Sequence, residues 1–153
     1  MEPWLCTIAH VFYQHSAPVY LVGGAVRNAE LSLPVDDYDL CGPLLPKEVA
    51  LLCENTPIKI LPKLSSFGTM GLQVTDLQGN THVAEYTTFR KDLYTNGHRP
   101  EKVVFTDSLI EDSHRRDFSI NALYRPLFPW GYGTIIDPTG GLADLKSHRL
   151  HTT

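Results

Sequence analysis

Apolar residues recur at helical spacing near the start of the chain. Leu5, Ile8, Val11 and Phe12 share one face of residues 4–14, which predicts a helix stopped by Pro18. The continuous run "VYLVG" (19–23) predicts a short buried strand, and "GAVRNAELS" a helix that opens at the glycines and ends before Pro34. "DDYDLCG" reads as a strand. "PKEVALLCEN" reads as a helix with proline in its first turn and apolar residues at 49, 52 and 53. "IKILPKL" predicts a strand. "GTMGLQVTDL" and "NTHVAEYTTF" predict a hairpin turning at Gln78-Gly79-Asn80. Residues 90–102, "RKDLYTNGHRPEK", are polar with Gly and Pro and read as a mobile loop. "DSLIEDSHRRDFSINALY" reads as mostly helical, capped by Asp107 or Ser108. "GTIIDPTGGLADLKSHRL" gives a strand, a Pro-Gly-Gly corner and a short helix. Helices mixed with hairpin strands predict an α/β fold with a mixed, mostly antiparallel sheet flanked by helices, not a doubly wound parallel one.

The 153 residues fit one domain, and 42% hydrophobic with 20% charged residues fits a globular chain. No apolar run reaches bilayer-spanning length, so no membrane partner is expected. The N-terminal residues show neither a secretory nor a transit-peptide pattern. Cys6, Cys41 and Cys53 have no regular spacing and no nearby ligand pair, which argues against a disulfide framework or a zinc site and for a reducing, cytoplasmic setting. The net charge is −4, and from Arg90 to Arg116 six Lys/Arg face five Asp/Glu. A domain that grips a long nucleic acid by its phosphates is usually basic. Any RNA is therefore expected to be held weakly by this chain alone.

Four features bear on chemistry. Asp37 and Asp39, two apart on a predicted strand, share a face. With Asp36 they put three poor strand formers in one strand. Either this is a solvent-facing strand end, or a divalent cation sits between the two carboxylates and relieves their repulsion. Glu85, on a neighbouring strand with Val83 and Thr87, is either an exposed glutamate or a third carboxylate for a two-metal site. Gly23-Gly24 at a strand-to-helix turn, followed by Arg27, is either a tight turn or an anion-binding turn with a fixed cation. In "HRRDFSINALY", Arg115 and Arg116 offer forked donors suited to phosphate. On a continuous helix, Asp117 and Asn121 would share a face and could read a ribose hydroxyl.

"YLVGGAVRN…DDYDL", "EYTTFRKD", "EDSHRRDFSINALY" and "IIDPTGGLADLKSHRL", in that order, resemble the head domain of class II tRNA nucleotidyltransferases (CCA-adding enzymes) and bacterial poly(A) polymerases. These belong to the polymerase-β-like nucleotidyltransferases. The resemblance runs from Val19 to Thr153. It implies that Asp37 and Asp39 hold Mg²⁺, with Glu85 as the acidic partner on the next strand. It implies that Gly23, Gly24 and Arg27 hold the triphosphate and that Asp117 and Asn121 sense the ribose. Arg90 and Arg116 fall on nucleotide-binding arginines, and 90–102 on a flexible loop tied to nucleotide preference. The implied reaction is in-line attack of an RNA 3′-hydroxyl, that of a tRNA in the family, on the α-phosphorus of ATP or CTP, with two Mg²⁺ assisting and pyrophosphate leaving.

Two departures stand out. Asn28 replaces the family's usual Asp, and "AELSLP" replaces its usual Leu-Leu-Gly-Arg. The expected organisation is one head domain, 1–153, without the family's helical neck, body and tail. The neck carries the Glu-Asp-x-x-Arg motif that reads the base, so a separate helical neck or body protein is an expected partner. Two other readings compete: a standalone nucleotidyltransferase acting on a protein or small molecule, and a catalytically silent nucleotide-binding module. The RRDFSIN segment weighs against the first, and the intact aspartates weigh against the second.

Overall fold

The structure is a computed structural model that describes residues 1–62, 68–95 and 99–147; for 92–95 and 99–103 it describes the backbone alone. Helix α1 (Pro3–Gln14) starts with proline in its first turn, where no N–H is needed, and buries Leu5, Ile8 and Phe12 as the spacing predicts. Then follow β1 (Tyr20–Val22), α2 (Gly24–Glu30), β2 (Tyr38–Gly42), α3 (Pro46–Leu52) and β3 (Lys59–Pro62). The hairpin β4 (Thr69–Thr75) and β5 (Thr81–Thr88) comes next. Its turn is held by Asp76, whose carboxylate accepts the Gln78 and Asn80 backbone N–H groups. Beyond lie β6 (Arg90–Thr95), β7 (Arg99–Phe105), α4 (Leu109–His114), a 3₁₀ turn (Ser119–Asn121), β8 (Tyr124–Phe128), β9 (Gly131–Tyr132) and α5 (Gly141–Lys146).

Seven strands form one sheet in the order β3-β4-β5-β2-β1-β8-β9. The β2–β5 pair is parallel and the other pairs are antiparallel. Strand alternation then separates core from site. Leu21, Leu40, Leu72, Ala84 and Tyr86 join α1 in the main core. Val22 and Cys41 belong to a second, smaller cluster with Phe89, Ala122 and Tyr124. Asp39 and Glu85 alternate with Leu40, Ala84 and Tyr86 and so lie on the sheet face away from the main core.

Two expectations are corrected. The loop expected over 90–102 is a two-stranded ribbon, β6 paired antiparallel with β7, outside the seven-stranded sheet; residues 96–98 lie outside the described residues. A ribbon with one partner strand needs no long apolar stripe, so its polar sequence hid it. The long helix expected over 107–124 stops at His114, with Ser108 as its cap, as foreseen. The cause is Asp112. Its carboxylate accepts from the side chains of Arg115, Arg116 and Tyr124, which ties the end of the helix to β8. Phe118 then takes an extended conformation before the 3₁₀ turn.

Candidate active site

The carboxylates are positioned by strand register. Asp39 lies opposite Glu85 across the parallel β2–β5 pair, and Glu85 lies opposite Gly71 on β4. Asp37 sits one residue before β2, not within it. Asp37, Asp39, Glu85, Gly71, Tyr38 and Val83 line one hollow of about 370 Å³. A second, of about 180 Å³, adds Arg115, Arg116 and Thr87 to Asp39 and Glu85. A third, of about 190 Å³, joins Asp37 and Asp39 to Gly24, Arg27 and Asn28. Asp39 belongs to all three, so it stands where the metal and phosphate candidates meet.

Gly23 has φ +73, a left-handed conformation that favours glycine, and it lets the chain turn from β1 into α2. Arg27 folds back over Gly24: a Cβ placed on Gly24 would come 3.2 Å from Arg27 Nη2. Two oxygens fix the guanidinium. Arg27 Nε donates to Asn28 Oδ1 at 3.1 Å, and Arg27 Nη1 donates to Asn121 Oδ1 at 3.0 Å. Asn28 Nδ2 donates to the Pro34 carbonyl at 3.2 Å and so ties α2 to the segment that leads into Asp37. Asn121 is therefore brought into the site, through Arg27. Asp117 is exposed in the bend before the 3₁₀ turn and lines none of the three hollows. The i, i+4 face proposed for Asp117 and Asn121 does not form, because no helix joins them.

On the opposite wall, Asp112 is fully buried. It accepts Arg115 Nε at 3.1 Å, Arg116 Nη2 at 3.1 Å, the Tyr124 hydroxyl at 2.6 Å and the Arg90 backbone N–H at 3.0 Å. Arg116 Nε also donates to the Tyr124 oxygen at 3.0 Å, and its guanidinium lies 5.4 Å from the Tyr124 ring centre. Burial works to raise the Asp112 pKa, but Arg116, Arg115 and the hydrogen bonds outweigh it and hold the carboxyl below its ordinary value. Burial likewise opposes the charge on Arg116, and the Tyr124 and Asp112 oxygens overcome it. Burial pushes the Cys41 thiol well up, and the side chain packs with Val22, Phe89, Ala122 and Tyr124. Of the candidate residues, Arg90 contributes a backbone contact here and lines none of the three hollows.

Among the described residues no three His, Cys, Asp or Glu side chains form a ready-made metal cage. The donor set still fits Mg²⁺. It is all oxygen, and Mg²⁺ takes one or two carboxylates and completes its shell with substrate phosphates and water. Sequence reasoning missed Asp112 and Tyr124. The available signal was an acid three and four residues before two arginines, the spacing that lets one carboxylate meet both.

Carboxylates set among arginines on this mixed sheet define a nucleotidyltransferase head. Residues 19–151 match the family described as the Poly A polymerase head domain, and the chain belongs to that family. The CCA-adding enzyme of Geobacillus stearothermophilus is 38% identical over 141 residues, 91% of this chain and 31% of that enzyme. The CCA-adding enzyme of Latilactobacillus sakei is 39% identical over 132 residues, 86% of this chain and 30% of that enzyme. The chain spans about a third of the length of these relatives. The crystal structure of the Bacillus stearothermophilus CCA-adding enzyme in complex with CTP matches with a TM-score of 0.76 at 32% identity, over 99% of this chain and 34% of that one. An apo CCA-adding enzyme matches with a TM-score of 0.78 at 25% identity, over 99% of this chain and 36% of that one. Among the described residues no helix is long and apolar enough to cross a membrane.

Proposed function

We propose that this chain is the catalytic head of a template-independent RNA nucleotidyltransferase. It transfers AMP or CMP from ATP or CTP to the 3′ end of an RNA, a tRNA by analogy with its relatives, and releases pyrophosphate. The observation that carries this reading is the meeting of Asp37, Asp39 and Glu85 with Arg27 and Arg116 in hollows that share Asp39. Asp37 and Asp39 would hold Mg²⁺, with Glu85 beside them. When bound, the metal lowers the barrier by activating the attacking oxygen and neutralising the leaving phosphates.

The chain's own residues divide the remaining work. Gly23 and Gly24 leave room for the polyphosphate, and Arg27, fixed by Asn28 and Asn121, supplies a forked cation to it. Arg116 and Arg115 supply a second cationic wall on the far side of Asp39. Asp117, at the exposed edge, accepts from the ribose hydroxyl. Arg90, at the root of the β6–β7 ribbon, is assigned to the nucleotide by the family resemblance, its backbone N–H being held by Asp112. Base choice and most of the grip on tRNA lie in helical neck and body domains, on the same or a separate chain, since −4 of net charge gives little hold on RNA phosphates. The three free thiols fit a reducing compartment, and we assign the reaction to the cytoplasm.

The test is primer extension on a tRNA lacking its 3′ end, with each nucleoside triphosphate and Mg²⁺, with and without a helical neck and body supplied in trans. Slow, poorly selective addition by the wild type, absent in Asp39→Ala, is the expected result. A wild type that adds nothing under either condition removes the reading.

A further inference from the structure

We propose that Asp112 and Tyr124 are the positioning residues for the arginine wall of the site, a role that rests on the nucleotidyltransferase reading above. Neither side chain lines the hollow that Asp39, Glu85, Arg115 and Arg116 share. Both are fully buried behind it. Between them they hold Arg116 by three hydrogen bonds: Nε and Nη2 to Asp112 Oδ2, and Nε to the Tyr124 hydroxyl. Tyr124 donates its own proton to the same Asp112 oxygen. The second Asp112 oxygen takes Arg115 Nε and the Arg90 backbone N–H.

This arrangement sets both the plane and the depth of the Arg116 guanidinium. An arginine carries many rotamers, and one that must meet a polyphosphate loses affinity unless it is oriented in advance. Asp112 offsets one of the two positive charges while its buried oxygens are saturated with donors, so the carboxylate cannot swing towards Asp39. Tyr124 contributes what a carboxylate alone cannot. It accepts from Arg116 at one lone pair, donates to Asp112, and stacks its ring beneath the guanidinium. It sits on β8, beside Val22 of β1, so the arginine wall is referenced to the same sheet that carries Asp39. The Arg90 backbone N–H brings the root of the β6–β7 ribbon to the same carboxylate.

The test uses Tyr124→Phe, which keeps the buried ring and removes only the hydroxyl, alongside Asp112→Asn. Binding of inorganic triphosphate with Mg²⁺ is measured by calorimetry, and KM and kcat are measured separately for ATP and for the RNA end. Tyr124→Phe removes the hydroxyl's bonds to both Arg116 and Asp112, and the lost orientation of the Arg116 guanidinium is expected to raise the triphosphate Kd and the ATP KM about tenfold. The RNA KM should stay at the wild-type value, and kcat within about threefold of it. Asp112→Asn should move the same two constants further. If Asp112→Asn does not fold, Tyr124→Phe decides alone. Unchanged triphosphate and ATP constants in Tyr124→Phe overturn the positioning role while leaving the site reading intact. Equal loss in ATP, RNA and kcat overturns it too, because that pattern marks a purely structural hydroxyl. A wild type that binds no triphosphate overturns the site reading and this role with it.

Discussion

Gly141→Ala tests whether the C-terminal helix holds the site together. Gly141 opens α5 and is pressed against the 3₁₀ turn. A Cβ at this position would lie 2.1 Å from the Ser119 carbonyl oxygen and 2.7 Å from its carbon. Both are backbone atoms, so no side chain can rotate away. Reaching an ordinary 3.4 Å contact requires the two segments to part by about 1.3 Å. The turn carries Asn121, whose Oδ1 holds Arg27 Nη1 at 3.0 Å, and a shift of that size breaks the bond. The Ser119 hydroxyl bond to Asp144 is strained with it.

Overpacking of this kind costs roughly 1–3 kcal/mol. The alanine recovers less than about 1 kcal/mol by restricting the unfolded chain. For a chain of this size the melting temperature should fall by about 3–8 °C. The freed Arg27 should lower kcat/KM for ATP by roughly 10- to 100-fold, since a misplacement near 1 Å is felt on that scale. Gly79→Ala, at the tip of the β4–β5 hairpin, is the control. There the left-handed φ of +86 costs about 1–2 kcal/mol, nothing stands within 4 Å of the new Cβ, and the ATP constants should not move. Thermal unfolding and steady-state kinetics on both variants read the outcome. Gly141→Ala with wild-type melting and wild-type ATP kinetics would refute the coupling of α5 to the site.

Three further predictions concern charge. Asp37→Ala and Asp39→Ala should each abolish nucleotidyl transfer while the chain still folds, because both are exposed beside the hollows and outside the core; transfer near the wild-type rate in both would remove them as metal ligands. Asp117→Ala should narrow the preference for ATP over dATP, since a hydroxyl-reading site loses its discrimination with its acceptor; an unchanged ratio in competition assays removes Asp117 from that role. The folded-state pKa of Asp112 is depressed, so its stabilising contribution is full above the ordinary carboxylate value near 4 and is lost as pH falls below it. Urea titrations should accordingly show a shallower acid-side loss of stability in Asp112→Asn than in the wild type, and parallel profiles would contradict the assignment.

Elements whose pattern is set by burial were legible in the sequence. The α1 stripe and the β4–β5 hairpin face the main core on one side, and the continuous run "VYLVG" fits a strand buried on both faces, Leu21 in the main core and Val22 in the second cluster. The sequence also singled out residues that the fold gathers, since Asp37, Asp39, Glu85, Gly24 and Arg27 line adjoining hollows. The β6–β7 ribbon and the stop after His114 were not legible. The ribbon is a local hairpin with no apolar alternation to announce it, and the stop is set by Tyr124, twelve residues beyond Asp112. The helical spacing around Asp112 holds no record of that contact. The placement of Asp117 failed for the same reason, since its spacing from Asn121 had meaning only on a helix that Asp112 ends.

The two departures that the resemblance marked meet at one hydrogen bond. Asn28 stands where an aspartate is usual, and "AELSLP" follows where Leu-Leu-Gly-Arg is usual. Asn28 accepts from Arg27 Nε with its oxygen and donates to the Pro34 carbonyl with its nitrogen. An aspartate could do the first and not the second, because an ionised carboxylate only accepts. Pro34 ends the altered segment, and its carbonyl faces the residue that changed. The amide therefore serves the segment that replaced the usual one, and it leaves Arg27 oriented but not neutralised. A residue that reads in the sequence as a loss of charge thus adds, in the structure, a hydrogen bond between the helix carrying Arg27 and the segment leading to Asp37.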